Sequence, residues 1–168
     1  MANQEHVKIL RSGAAEWNKW RAENPDAKPD LSWANLTGVD LAGANLEGAN
    51  MKLAFCKGCA MDGAILKGAN LYGTNLEGAK LTGADMAGAN FEGAHLIGAD
   101  LSGADVSGGA FKLANLREAV FENADLKGCS KLTAAQLEEA ATLRGAKLDP
   151  LLLEQISVSS PGLLDRSA

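Results

Sequence analysis

Three groups of residues in this chain are of types that could do chemistry. Cys56-Lys57-Gly58-Cys59 is a CxxC, the spacing of redox dithiols and of half a zinc site. No second CxxC accompanies it, and the helix start that activates a redox pair is missing. His6 and His95 are the two histidines. Neither has a Ser, Cys or second His at the spacing that nucleophilic or general-base catalysis requires. Asp85, Asp105 and Asp125 recur at intervals of twenty, and Cys129 stands by itself. What these residues can do depends on the elements that hold them.

Those elements are declared by a period of five. From Leu31 to Leu126 every fifth residue is apolar, giving twenty centres with no polar break. Ala lies two residues before the centre in 15 of the 20 units, Gly two after it in 15, and Asn or Asp directly before it in 13. The consensus is Ala-(Asn/Asp)-Leu-x-Gly. A period of five fits neither an α-helix nor a flat strand. It requires a unit that sends two residues inward and then turns: the large centre and the small Ala. The Gly accepts the positive φ of a tight turn, and the residues on either side of the centre face water. One such coil cannot bury its inner face, so stacked coils must close the core.

These residues resemble the pentapeptide-repeat family over about residues 30 to 130. Glu16-Trp17-Asn18-Lys19-Trp20-Arg21 through Pro29-Asp30-Leu31 resembles the lead-in of many bacterial members. The resemblance implies an all-β fold, a right-handed quadrilateral β-helix with four pentapeptides to a coil. Twenty units then make five coils, a shaft of roughly 24 Å at about 4.8 Å per coil. Residues twenty apart stack. The first core column is Leu31, Met51, Leu71, Phe91, Phe111; the second Leu36, Cys56, Leu76, Leu96, Leu116; the third Leu41, Met61, Leu81, Leu101, Phe121; the fourth Leu46, Leu66, Met86, Val106, Leu126. Cys56 then occupies a centre and Cys59 and Cys129 the small inward position, where free Cys acts as a small hydrophobe. His95 faces solvent between Asn75 and Asn115. Asn50, Asn70 and Asn90 stack outside and are placed for an amide ladder.

Both ends need caps, because a solenoid's ends expose unpaired backbone and core. Residues 5 to 23 have helical spacing, with Val7, Leu10, Ala14 and Trp17 on one face, and form the expected amino-terminal cap. Asn24 to Pro29 is a turn-rich link. Thr133 and Gln136 form a capping box for a helix ending at Gly145. Asp149 and Pro150 start a second short helix through Ile156, and Ser157 to Ala168 reads as a weakly ordered tail. The organisation expected is a cap and linker over 1–29, a β-helix over 30–130, and short helices with a tail over 131–168.

Composition narrows the function. Aromatics make up only 5% of the residues, so the core is built of Leu and Ala. The net charge of −5 argues against nucleic acid or an anionic membrane as a direct partner. No apolar run approaches the ~20 residues of a membrane span, and no secretory signal opens the chain; a cytoplasmic location with reduced thiols is expected. A filled prism offers no cleft, so no enzyme activity, cofactor or metal is expected; the alternative is an enzyme with its site under a terminal helix, which would need a pocket there holding a perturbed titratable group. The partner expected is another protein, the chain itself being a monomer or weak dimer.

Two surfaces are candidates for it. Asp85, Asp105 and Asp125 form an acidic column on the fourth face, and Asp40, Asp62, Asp100 and Glu122 lie on the third. Together these two faces carry all five net negative charges of the shaft. The resemblance implies one use, since some members mimic duplex DNA, bind type II topoisomerases and protect them from quinolones. Here Lys67, Lys80 and Lys127 interrupt the acidic faces. The other surface is apolar. Trp33 and Leu53 replace Gly in the corner column between faces one and two, Phe55 replaces Asn or Asp beside them, Ile97 lies further along face two, and Leu113 returns to the corner. Ile65 and Val120 interrupt polar columns elsewhere. Such a patch marks a contact, either with a partner or with the amino-terminal helix folded back over it; its place at the amino-terminal end favours the second.

Overall fold

The computed structural model describes residues 1–165. The shaft is the four-sided right-handed β-helix, and all twenty centres are at most 1% exposed. Neighbouring coils pair in parallel through the residue before each centre, as in Asp30–Asn50–Asn70–Asn90 and Asn35–Phe55–Asn75–His95–Asn115. The register is the predicted twenty.

The backbone of each unit is nearly saturated with hydrogen bonds, which explains the consensus. In the unit centred on Leu76, the Leu76 N–H donates to His95 O (2.8 Å), Gly78 to Ile97 O (2.9 Å) and Asn75 to Ala54 O (2.9 Å). Ala79 N–H closes the turn on Leu76 O (3.0 Å). That turn, with Gly78 at φ 62°, has the type II signature, which needs a left-handed third residue. One donor is left over, the N–H of the residue after the centre. Asn75 Oδ1 accepts it from Glu77 (3.0 Å). All thirteen Asn and Asp residues at this position make the same bond to the residue two ahead. Their oxygens complete the turn, a role that sequence reading assigned only to solvation.

Inside, the small position also has a rule. Polar residues there donate to the centre carbonyl of the coil before: Thr74 Oγ1 to Met51 O (2.8 Å), Cys59 Sγ to Leu36 O (2.8 Å) and Cys129 Sγ to Val106 O (3.2 Å). Gly109 replaces Ala because a Cβ would lie 2.9 Å from Val106 O and 3.1 Å from the Phe111 ring. That ring stacks on Phe91 at 4.6 Å, so ring volume substitutes for the missing methyl.

The amino-terminal cap is two helices instead of the single one expected: α1 (Gln4–Arg11) and α2 (Ala14–Glu23). The chain breaks at Gly13, whose φ of 111° ends the helical path. Val7, Leu10 and Trp17 are buried as expected. The two helices lie across the open end of the first coil and bond its exposed backbone, at Asn45 and Glu47 in place of a preceding coil. Trp17 Nε1 donates to Asn45 O (2.7 Å), Asn18 Nδ2 to Gly43 O (2.9 Å) and Arg21 to Glu47 O (3.2 Å), while Asn18 Oδ1 accepts the Asn45 N–H (2.7 Å). His6 accepts the Asp30 N–H through Nδ1 (3.1 Å) and packs against Trp17 and Trp20.

At the other end the Thr133–Gln136 capping box forms, but its helix α3 (Ala134–Glu138) stops well before Gly145. Gly145 is instead a corner of a partial sixth coil: Thr142 pairs beneath Val120 and Lys147 beneath Asp125, with Leu143 and Leu148 as buried centres. The β-helix thus runs past residue 130. The offset becomes twenty-two because α3 replaces part of the coil. Gln136 Nε2 bonds Phe111 O and Ala114 O (2.8 and 2.9 Å) and so caps the last coil. Helix α4 (Pro150–Ser159) is longer than expected. Asp149 accepts the Gly128 N–H (3.1 Å) in place of capping α4. Part of the expected tail is ordered, since Leu163 O accepts the Leu143 N–H (2.8 Å); residues 166–168 of it lie outside the described part.

Candidate interaction surface

The thiols sit where the register puts them. Cys56 and Cys59 are buried in the core, and all three cysteines are free thiols. A hydrogen bond to Cys59, with burial added, holds the Cys56 thiol well above its ordinary pKa. Burial pushes Cys129 up to about 11, aided by the charges of Asp149, Asp125 and Asp105 and against the Gly109 N–H. Thiols held protonated, as Cys56 and Cys129 are, make poor nucleophiles and poor ligands; Cys59 is shifted down by its hydrogen bond with Cys56, against burial, but lies wholly inside the core. No cluster of potential metal ligands occurs among the described residues. His95 is exposed on face two, and His6 belongs to the cap.

The acidic column is continuous, Asp85 pairing with Asp105 and Asp105 with Asp125. Each uses one oxygen in its own turn. The partial sixth coil brings cations to its end: Lys147 Nζ lies 3.1 Å from Asp125 and Arg144 pairs with Glu122. The Asp125 carboxyl falls below its ordinary value because it accepts the Lys127 N–H, with Lys147 adding to the effect. The acidic faces therefore end in neutralised pairs. In the amide column, Asn50 donates to Asp30 (3.2 Å) and Asn70 to Asn50 (3.4 Å).

The apolar corner is open. The amino-terminal helices lie on the end of the prism and leave Trp33 57% exposed, Phe55 48% and Leu113 78%. Leu53 is half-buried along the corner, its Cδ2 2.7 Å from where a Cβ on Gly73 would stand. Tyr72, one coil below on face one, is exposed and has Lys52 Nζ 5.1 Å from its ring centroid. Sequence reading passed over it because one aromatic in a solvent column breaks no pattern. Ile97 is half-buried and stands apart from this cluster, between Glu77 and Arg117 in its column.

Backbone conformation sets the corner apart. Five corners of the shaft lack Gly, and all five keep positive φ: Trp33 63°, Leu53 57°, Leu113 58°, Glu118 59° and Asn123 58°. Asn123 is of a type that tolerates this region, whereas bulky apolar residues there are outliers. The three apolar ones share a single corner column of the four. A hollow of ≈ 470 Å³ lined by Val7, Arg11 and Trp33 adjoins its amino-terminal end. A second, of ≈ 660 Å³ and lined by Lys112, Leu113, Lys131 and Gln136, adjoins its carboxyl end.

The family comparison agrees with the repeat register. The sequence model of pentapeptide repeats (8 copies) matches residues 30–68, 69–108, 94–130 and 114–149, the last reaching the partial sixth coil. Among solved structures, a pentapeptide repeat protein from the Arabidopsis thaliana thylakoid lumen is 33% identical over 51% of this chain and 63% of its own, with a TM-score of 0.36. The chain thus spans just under two thirds of that protein's length. QnrB1, a plasmid-mediated fluoroquinolone resistance protein, is 25% identical over 77% of this chain and 84% of its own, with a TM-score of 0.40. HetL, involved in heterocyst differentiation regulation in the cyanobacterium Nostoc, is 27% identical over 70% and 65%, with a TM-score of 0.27. No curated protein matches the chain. No helix among the described residues is long and apolar enough to cross a membrane. On the repeat matches and the coil they describe, this chain belongs to the pentapeptide-repeat family.

Proposed function

We propose that this protein is a non-enzymatic scaffold that presents the corner between faces one and two to another protein. The observation that carries the reading is the strained apolar column. Trp33, Leu53 and Leu113 hold left-handed backbone where Gly stands in most other units, at a cost of about 1–2 kcal/mol each. Trp33 and Leu113 leave most of their side chains in water. Folding gains little from them, and strain kept at exposed residues is a mark of function. Phe55 and Tyr72 widen the patch.

The test is a pair of baits in affinity capture from a lysate of the source organism. One carries Trp33→Asp and Phe55→Asp. The other carries Asp85→Asn, Asp105→Asn and Asp125→Asn, which remove the charge column but keep the oxygen that each turn requires. Loss of a captured protein with the first bait alone supports the corner. Loss with the second alone would sink it and favour a nucleic-acid mimic directed at a type II topoisomerase. For that mimic, inhibition of supercoiling at micromolar protein is the direct assay; the scaffold reading expects none.

A further inference from the structure

The corner also carries a charge pattern, and this indicates its occupant. Arg11 and Lys52 flank the apolar cluster at the amino-terminal end. Both are exposed, and neither forms an ion pair among the described residues. Carboxylates of this region are engaged elsewhere: Asp30 Oδ1 accepts the Ser32 N–H and the Asn50 amide, and Glu77 pairs with Lys57 at 2.9 Å. At the carboxyl end, Leu113 stands beside Lys112, which pairs with Glu92 at 3.2 Å, and Lys131, which has no ion pair among the described residues; with Glu139 on the rim of the same hollow, the two lysines there outnumber the one carboxylate. Arg11 donates to Asn35 O and Lys52 lies over the Tyr72 ring, so cations without a carboxylate partner among the described residues border an apolar corner on a chain of net charge −5.

Between the two ends the corner residues are Gly73 and Gly93. The Leu53 side chain lies over Gly73, while Gly93 has open space around it and lets a ligand backbone approach. Trp33 and Leu113 are four coil steps apart, about 19 Å, which roughly six residues span when extended at ~3.3 Å each. We infer that the occupant is an extended acidic segment of a partner protein, about six to eight residues long. Its apolar side chains seat near Trp33–Phe55 and near Leu113, and its Asp or Glu residues face Arg11, Lys52 and Lys131. A nucleic acid would meet the cations but has no apolar anchors for the exposed rings, and faces three and four repel a long polyanion. A second copy's corner would bring like charges together. The inference rests on the corner being the binding surface.

Panning random displayed 12-residue peptides against the intact protein tests it. Enriched sequences should combine Asp or Glu with Leu, Phe or Trp. A synthetic peptide from that set should bind at least tenfold more weakly to the Phe55→Asp protein and to the Leu113→Gly protein, each shown by circular dichroism to be folded. Its affinity should fall as salt rises. Reversal by Arg11→Glu, Lys52→Glu and Lys131→Glu together should turn the selection toward Lys and Arg peptides. Neutral or basic peptides that still depend on Phe55 would overturn the acidic partner while leaving the corner as the site. Peptides indifferent to Phe55→Asp would overturn the corner itself. Failure to enrich any peptide would overturn the inference. If the intact protein then sedimented as a dimer that Phe55→Asp dissociates, the occupant would be a second copy.

Discussion

Leu113 offers the sharpest test of the strained corner. It holds φ 58° with 78% of its surface in water, so it has left-handed strain and little burial to offset it. Left-handed backbone costs an L-residue about 1–2 kcal/mol relative to Gly. The greater freedom of Gly in the unfolded chain returns about 0.4–1 kcal/mol of that. Leu113→Gly is therefore expected to be more stable than Leu113→Ala by about 0.5–1 kcal/mol. The same pair of residues ranks the other way in a helix interior. Comparing Gly with Ala, not with Leu, cancels the loss of the exposed side chain. In thermal unfolding followed by circular dichroism, the difference is a midpoint higher by about 1–4 °C for Gly. Gly93→Ala, in the same column at φ 66° with open space around it, should lose stability by a similar amount. If Ala at position 113 matched or exceeded Gly, the strain argument would be refuted, and the proposed use of the corner would lose its main support.

Other expectations follow from the register and the turns. Leu76→Asp or Leu81→Asp should abolish the folded shaft, because each puts an unpaired charge in a dry core, whereas Glu77→Ala should change stability by less than about 0.5 kcal/mol; circular dichroism and urea unfolding measure both. Asn75→Ala removes the acceptor of the Glu77 N–H and should cost about 1 kcal/mol in urea unfolding, while Lys80→Asn supplies an acceptor to the Thr82 N–H and should raise stability by several tenths. Cys129, raised from 9.0 to about 11, should alkylate roughly tenfold more slowly at pH 8 in the native protein than in urea, because that rise cuts its thiolate about a hundredfold and the more basic thiolate recovers part of that; site-resolved mass spectrometry follows it, and equal rates would show that Cys129 is not held in the wall.

Much of the fold is legible in the sequence because the coil is its own template. Twenty apolar centres at a fixed interval set the inner face, and each is buried. The burial of Cys56 and Cys59 follows from that register alone. The parts that escape are those where bonding differs from patterning. A polar residue before each centre looks merely solvated until the turn's spare N–H is counted, and then the preference for Asn and Asp over Lys or Ser has a cause. Gly13 stops a helix whose apolar spacing continues through it, because spacing does not report φ. The partial sixth coil was in fact written in the chain: Ala141-Thr142-Leu143-Arg144-Gly145 repeats the consensus, with Thr142 Oγ1 accepting the Arg144 N–H at 3.1 Å. Helix α3 hides it by breaking the count of five. For the corner, sequence reading finds Trp33, Leu53, Phe55 and Leu113 in register, but whether the amino-terminal helices cover them is decided by hydrogen bonds from Trp17, Asn18 and Arg21 to the end of the first coil.

Site-specific photocrosslinking in the source organism tests the central claim most directly. p-Benzoylphenylalanine would replace Phe55 on the apolar corner or Ser107 on the acidic fourth face, and irradiated cells would be examined for a covalent adduct. The account predicts a discrete protein adduct from position 55 and none from position 107. An adduct from position 107 with none from position 55 would contradict it and move the working surface to the acidic faces.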